Sequence, residues 1–210
     1  MGAANEAREV VARDRAAWRR WLQRHHGTSG AVWLVLAKKG GTHRSPSYEE
    51  AVEEALCFGW IDSKANPLDE GRFKLWMAPR KRGSGWSAVN KRRIERLIEQ
   101  GRMAPAGLAA IEAAKADGSW TKLDSSHALT VPPDLAKAFR AHANAKSNFD
   151  TFPPSTRRAI LEWINAAKRP ETRAKRVEET ARLAERNERA NQWRPKTRPP
   201  RPAARSKPRP

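Results

Sequence analysis

The sequence predicts an α+β protein: a small antiparallel sheet of about three strands packed with helices, then a helical C-terminal module and a disordered basic tail. Three observations point there. A continuous apolar, β-branched run from Ala31 to Ala37 is bounded by Gly30 and Gly40, as a buried strand should be. Two further strand-like runs, Trp60 to Ala65 and Arg72 to Ala78, are joined by the turn-rich segment Asn66-Pro67-Leu68-Asp69-Glu70-Gly71. After Pro79 the chain changes character, and its apolar residues fall at helical spacings. These signals place an α+β domain at 1–118, a helical module at 119–190 and a Pro/Arg-rich tail at 191–210.

Each element has its own local reason. Val11, Trp18, Trp21 and Leu22 recur at helical spacing and predict a helix from about Glu6 to Arg24, broken by Gly27 and Gly30. Ser47, with Glu50 three residues on, makes a capping box for a helix starting at Tyr48. Tyr48, Ala51, Val52, Ala55 and Leu56 form its apolar stripe, which assigns Glu49, Glu50, Glu53 and Glu54 to the other face; Gly59 ends it. In the hairpin, Phe73, Leu75 and Met77 alternate with Arg72, Lys74 and Trp76, so one face is buried. Arg80 to Gly85 is a basic, glycine-containing loop, and Trp86 and Ser87 open a helix to about Gln100 with Ile94, Leu97 and Ile98 inward. Pro105, at a first-turn position, begins a helix to about Ala116. Ser119 to Val131 is predicted as loop, followed by helices at about Pro133–Ala143, Ser155–Ala167 and Pro170–Arg189. The last has only Ala174, Val177, Ala181 and Ala184 to bury, which predicts loose packing.

Composition narrows the partners. The formal charge is +19, from 42 bases and 23 acids. From Ala190 to Pro210 there is no acid, with seven bases and six prolines, so the body keeps 35 bases against 23 acids. Such a surface attracts nucleic acid, anionic membrane surfaces or another anionic ligand, although an Arg-rich composition also serves plain solubility. A single cysteine, Cys57, excludes an intramolecular disulfide and a Cys-based zinc site. At the C-terminal end of an apolar helix it reads as an inert thiol. The five histidines lack zinc-motif spacing, so no metal and no cofactor is expected. The N-terminus lacks the pattern of a signal peptide and no apolar run is long enough to span a bilayer, which makes the cytoplasm the expected location.

The segment Tyr48-Glu49-Glu50-Ala51-Val52-Glu53-Glu54-Ala55-Leu56-Cys57-Phe58-Gly59-Trp60-Ile61-Asp62, then Pro79 to Ser87 with Asn90, Gly101-Arg102-Met103 and Gly107-Leu108, resembles the YdeI/OmpD-associated, or bacteriocin-protection, family. So does Phe152 to Thr180, with Arg157, Arg158, Trp163-Ile164 and Ala166 to Arg173. The resemblance spans roughly Val32 to Ala184. It implies protection against bacteriocins and cationic antimicrobial peptides and an association with an outer-membrane porin, and it carries over no catalytic residue.

The strongest polar cluster is Arg80, Lys81, Arg82, Ser84, Trp86, Ser87 and Asn90. A basic loop running into a helix start can present free amides and a positive dipole end to an anion, with serine hydroxyls and a stacking indole beside them. The plainer alternative makes Ser87 an N-cap, Trp86 a core residue and Asn90 a loop-bonding residue. Strand alternation places Trp60, Asp62 and Lys64 on one face, where Asp62 and Lys64 either line a pocket against Glu50 or Glu54 or form a surface ion pair. Three functional readings follow: a non-enzymatic protection protein that binds an anionic partner, a nucleic-acid-associated basic protein, and a small-molecule enzyme with Asp62 or Glu54 as acid/base in a cleft shared with Arg80.

Overall fold

The Asp14 carboxylate decides where the first helix begins. It accepts the Ala17 N–H at 2.7 Å, so helix α1 runs Arg15–His25. The residues before it, Glu9–Val11, are left extended as strand β1. The computed structural model describes residues 8–192. Most of the tail expected at 191–210 therefore lies outside the described residues. The helix predicted from Glu6 is shorter by its first turns, and Val11, read there as part of a helical stripe, belongs to a strand.

Strand β2 (Val32–Ala37) is followed by helix α2 (Tyr48–Cys57), strand β3 (Trp60–Pro67) and strand β4 (Arg72–Pro79). The sheet order is β1-β2-β4-β3, with β1 parallel to β2 and the other pairs antiparallel. The fold is α+β as expected, but the sheet is mixed and has four strands; a strand of three residues inside a helix-like stretch leaves no periodicity to read. Val10, Leu34, Leu75 and Met77 face the helices, and the opposite face carries Trp33 against Trp76 at 4.9 Å, with Lys64 and Lys74 over the rings.

Helix α2 packs between the sheet, α1 and α3 (Ala88–Glu99). The expected capping box of Ser47 and Glu50 is present. Glu54, however, does not lie on an outer face: its side chain is fully buried. Arg15 Nε reaches Glu54 Oε1 at 2.6 Å, Arg19 Nη1 reaches Oε2 at 2.7 Å, and Arg102 Nη2 also pairs with Oε1. Burial pushes this carboxyl up, but the guanidiniums outweigh it and hold it below the usual carboxylate range. Three cations on one buried carboxylate thus tie α1 and the segment after α3 to α2. Burial also pushes the neighbouring Cys57 thiol up, consistent with an unreactive core cysteine. Ile98, read as inward, is half exposed.

Helix α4 (Pro105–Ala116) rests on the end of α2, and the short helix α5 (Asp124–His127) follows. Residues 119–128, predicted as loop, fold back on the start of α3. Trp120 packs at a tilt against Trp86 with ring centres 5.2 Å apart, Lys91 pairs with Asp124 at 2.5 Å, and His127 Nδ1 accepts the Ala88 N–H at 3.1 Å. The chain accordingly separates into two compact units between Ala128 and Leu129, ten residues beyond the turn at Gly118.

The second unit holds α6 (Pro133–Ala141), α7 (Ala145–Thr151), α8 (Pro154–Asn165) and α9 (Pro170–Glu185) around Leu135, Phe149, Ile160 and Ile164. Helix α9 is not loosely packed: Val177, Thr180, Ala181, Leu183 and Ala184 are all buried. Its small residues bring the neighbouring helices close, and Asn148 Nδ2 donates to the Ala184 and Glu185 carbonyls at its C-terminus. Among the described residues no helix is long and apolar enough to cross a membrane.

His142 fastens α9 in a way that depends on pH. Its Nδ1 lies 3.0 Å from Glu185 Oε2 and its Nε2 3.0 Å from Glu178 Oε1. Carboxylates only accept, so both ring nitrogens must carry protons. Hydrogen bonds donated to Glu185 and Glu178 raise the His142 pKa above its ordinary value. A raised folded pKa means the stabilisation is complete below the unfolded value of about 6.5 and is lost as pH rises through the raised one. His142→Gln is expected to remove that pH-dependent contribution, seen by comparing urea midpoints of the two proteins from about pH 5 to 9. Parallel midpoint curves would show that no imidazolium clamps α9.

Candidate anion site

Strand β4 ends at Pro79, and the next residue turns back: the Arg80 N–H donates to the Gly59 carbonyl at 3.0 Å. The loop beyond it is closed on itself. Ser84 donates to the Lys81 carbonyl through its N–H at 3.2 Å and its hydroxyl at 2.6 Å. Gly83 sits at φ +73°, where a side chain would be strained. Its N–H reaches Asp117 Oδ2 at 3.2 Å and its carbonyl accepts from Lys122 Nζ at 3.0 Å, so the loop is tethered to the end of α4.

Arg80 folds under this loop. Its guanidinium lies 3.7 Å from the centre of the Trp86 ring, and Nη2 donates to the Gly85 carbonyl at 2.7 Å. Its Nε is buried without a partner, and the residue makes no ion pair among the described residues. Burial pushes its pKa down to about 10, opposed only by the more distant charge of Asp62. A desolvated cation without a bonded carboxylate is costly, so its charge remains to be matched.

The unmatched guanidinium lines a cleft of about 310 Å³, counted to its mouth. The loop side is formed by Arg80, Lys81, Arg82, Ser84 and Trp86. The far side is α4, through the small Ala110 and Ala113, with Asp117 and Ser119 at its end. Ser119 donates its N–H to Asp117 Oδ1 at 2.9 Å. Hydrogen bonds from Ser119, the largest influence, and from the Gly83 backbone keep Asp117 below the usual carboxylate range, so it is an acceptor only.

Of the residues singled out in the sequence, Arg80, Lys81, Arg82, Ser84 and Trp86 meet in this cleft. Ser87 and Asn90 do not. Ser87 is the N-cap, its Oγ accepting from Asn90 N–H at 3.2 Å, while Asn90 Oδ1 accepts from Arg93 at 2.8 Å. With Ala88 N–H taken by His127 and Asn90 N–H by Ser87, two of the amides expected to grip an anion at this helix start are occupied. Trp60 is buried in the core and donates Nε1–H to the His26 carbonyl at 3.1 Å. Asp62 accepts from the Tyr48 hydroxyl at 2.7 Å and does not line the cleft, although its charge acts on Arg80. Lys64 is on the opposite sheet face, because the strand bulges between Asp62 and Ala65 and breaks the alternation. Glu50 is held by the capping box and Glu54 by the arginines rather than facing Asp62 or Lys64. Asp117, Ser119 and the alanines of α4 were not legible as site residues; their part depends on a contact made across more than thirty residues.

Residues 128–187 match the family described as bacteriocin-protection, YdeI or OmpD-associated. Over that segment the chain is similar to the YdeI/OmpD-associated family. The segment coincides with the second unit, which begins at Leu129. Residues 10–110 match a different model, a domain of unknown function (DUF8412). The YdeI/OmpD-associated match is therefore narrower than the resemblance, whose segments from Tyr48 to Asp62 and Pro79 to Ser87 fall in the other domain, together with most of the cleft. No curated protein and no solved structure matches the chain.

Proposed function

We propose that the chain works by binding an anionic partner in the Arg80 cleft rather than by catalysis, in the cytoplasm, and that any part it plays in resistance to bacteriocins or cationic peptides runs through that partner. The observation that carries this is the ion-pair-free, partly desolvated guanidinium of Arg80 between Trp86 and α4. Direct capture of cationic peptides is disfavoured, since a protein of charge +19 repels them. The YdeI/OmpD-associated match supports the protective context. Asp62 is engaged by the Tyr48 hydroxyl and is not among the residues lining the cleft, which favours binding over the acid/base reading.

Titration of the full chain with pyrophosphate at physiological salt tests the reading by calorimetry. Arg80→Met is expected to weaken binding roughly tenfold or more, the worth of one charge-assisted hydrogen bond. Equal binding by wild type and variant would end it. A nucleic-acid reading is favoured separately by Lys81 and Arg82, exposed beside the cleft. It requires duplex affinity that falls steeply with salt and with Lys81→Ala/Arg82→Ala.

A further inference from the structure

We infer that the Arg80 cleft takes one small protonated oxyanion, a hydrogen phosphate or a phosphate monoester terminus, and selects it over sulfate through Asp117. This rests on the anion-binding reading and narrows it. Size is the first argument. A cleft of only about 310 Å³, even counted out to its mouth, lies at the low end of the roughly 300–1,000 Å³ of ligand pockets and suits a small oxyanion.

The second argument is the balance of donors and acceptors. Arg80 has spent Nη2 on the Gly85 carbonyl and its Nε is enclosed, which leaves the Nη1 donors for a ligand. Lys81 and Arg82 add positive charge at the rim. The other polar groups are arranged to accept. Ser84 has given its hydroxyl proton to the Lys81 carbonyl, so its oxygen lone pairs remain. Asp117 holds Gly83 and Ser119 N–H groups and stays ionised. An oxyanion bearing a proton can donate to Asp117 or Ser84 while its other oxygens accept from Arg80. Sulfate, fully deprotonated near neutrality, has no proton to give and meets the carboxylate as bare repulsion.

Inorganic phosphate and sulfate, matched in ionic strength, are titrated into the full chain near neutral pH, with a short DNA duplex as a third probe. Phosphate is expected to bind at least tenfold more tightly than sulfate. Asp117→Asn, which replaces one acceptor by a donor, is expected to bring that ratio towards one. Ala113→Leu, which fills the interior from the α4 side, is expected to abolish phosphate binding and leave any duplex binding intact. Thermal unfolding of both variants confirms that they fold. Equal affinity of wild type for the two anions, discrimination that survives Asp117→Asn, or phosphate binding that survives Ala113→Leu would each overturn the selectivity while leaving Arg80-dependent anion binding standing. If neither anion binds and pyrophosphate ignores Arg80→Met, the broader reading falls as well.

Discussion

Glu54→Ala is expected to destabilise the first unit by about 3–5 kcal/mol, the cost of breaking a buried ion pair from one side. The residue is fully buried, so its loss removes the counter-charge of Arg15, Arg19 and Arg102 without giving them water. Arg15 keeps a second carboxylate partner in Glu53, at 2.8 Å, but among the described residues Arg19 and Arg102 pair with no other carboxylate. Glu53→Ala is the comparison: Glu53 is partly exposed and shares Arg96 with Glu49, and its loss should cost no more than about 1 kcal/mol. Guanidinium chloride unfolding of both variants measures the difference, and equal midpoints would show that the Glu54 cluster is not a buried network. The same cluster fixes the acid limb. The folded-state pKa of Glu54 is depressed, so its contribution is present above the ordinary carboxylate value of about 4.3 and is lost as pH falls through the lower folded value. Wild-type stability should therefore fall more steeply on acidification than that of Glu54→Gln.

Gly107→Ala is expected to cost about 2–3 kcal/mol, at the upper end for overpacking, because the obstacle is backbone. A Cβ at Gly107 would lie 2.2 Å from the Cys57 carbonyl oxygen and 2.9 Å from that of Leu56. No rotamer change relieves this; α4 must move off the end of α2. That end is further held by the Ala104 N–H donating to the Cys57 carbonyl at 3.1 Å. Because Ala110 and Ala113 ride on α4, the displacement should also disturb the Arg80 cleft. A fall in thermal midpoint accompanied by weaker pyrophosphate binding is the expected pair of results. Unchanged stability would mean that α4 is not seated on α2 as closely as the backbone indicates. Gly59 shows the same crowding from the other side, with Ala110 Cβ at 3.1 Å and its own φ at +74°.

Most of the fold was legible where local chemistry decides it. The capping box at Ser47, the N-cap at Ser87, Pro105 at the start of α4 and the alternation of Phe73, Leu75 and Met77 all act through neighbours within a few residues. What failed depends on tertiary contact. Strand β1 is extended because it pairs with β2, although Val11 continues the spacing of the following helix. Glu54 lies beside an apolar stripe and was assigned to water; arginines from α1 and from the segment after α3 make its burial tolerable. Helix α9 seemed too poor in large side chains to pack, yet small residues allow close approach. The bulge after Asp62 reversed Lys64, which simple alternation could not show.

The candidate site was half legible for the same reason. A basic loop before a helix is visible in sequence, and five of its predicted residues do meet in one cleft. The helix N-terminus is not part of the site, because His127, 39 residues away, occupies its first amide. The acceptor side, Asp117 and Ser119, comes from a helix end that reads only as a turn.

The most direct test of Arg80 as the centre of an anion site is a ¹⁵N–¹H NMR titration of the full chain with pyrophosphate, following the Arg80 Nε–H and the Trp86 indole N–H. Both resonances are expected to move together and saturate, and Arg80→Met should abolish the Trp86 response. Shifts confined to exposed cations such as Arg92, with Arg80 and Trp86 still, would contradict the account.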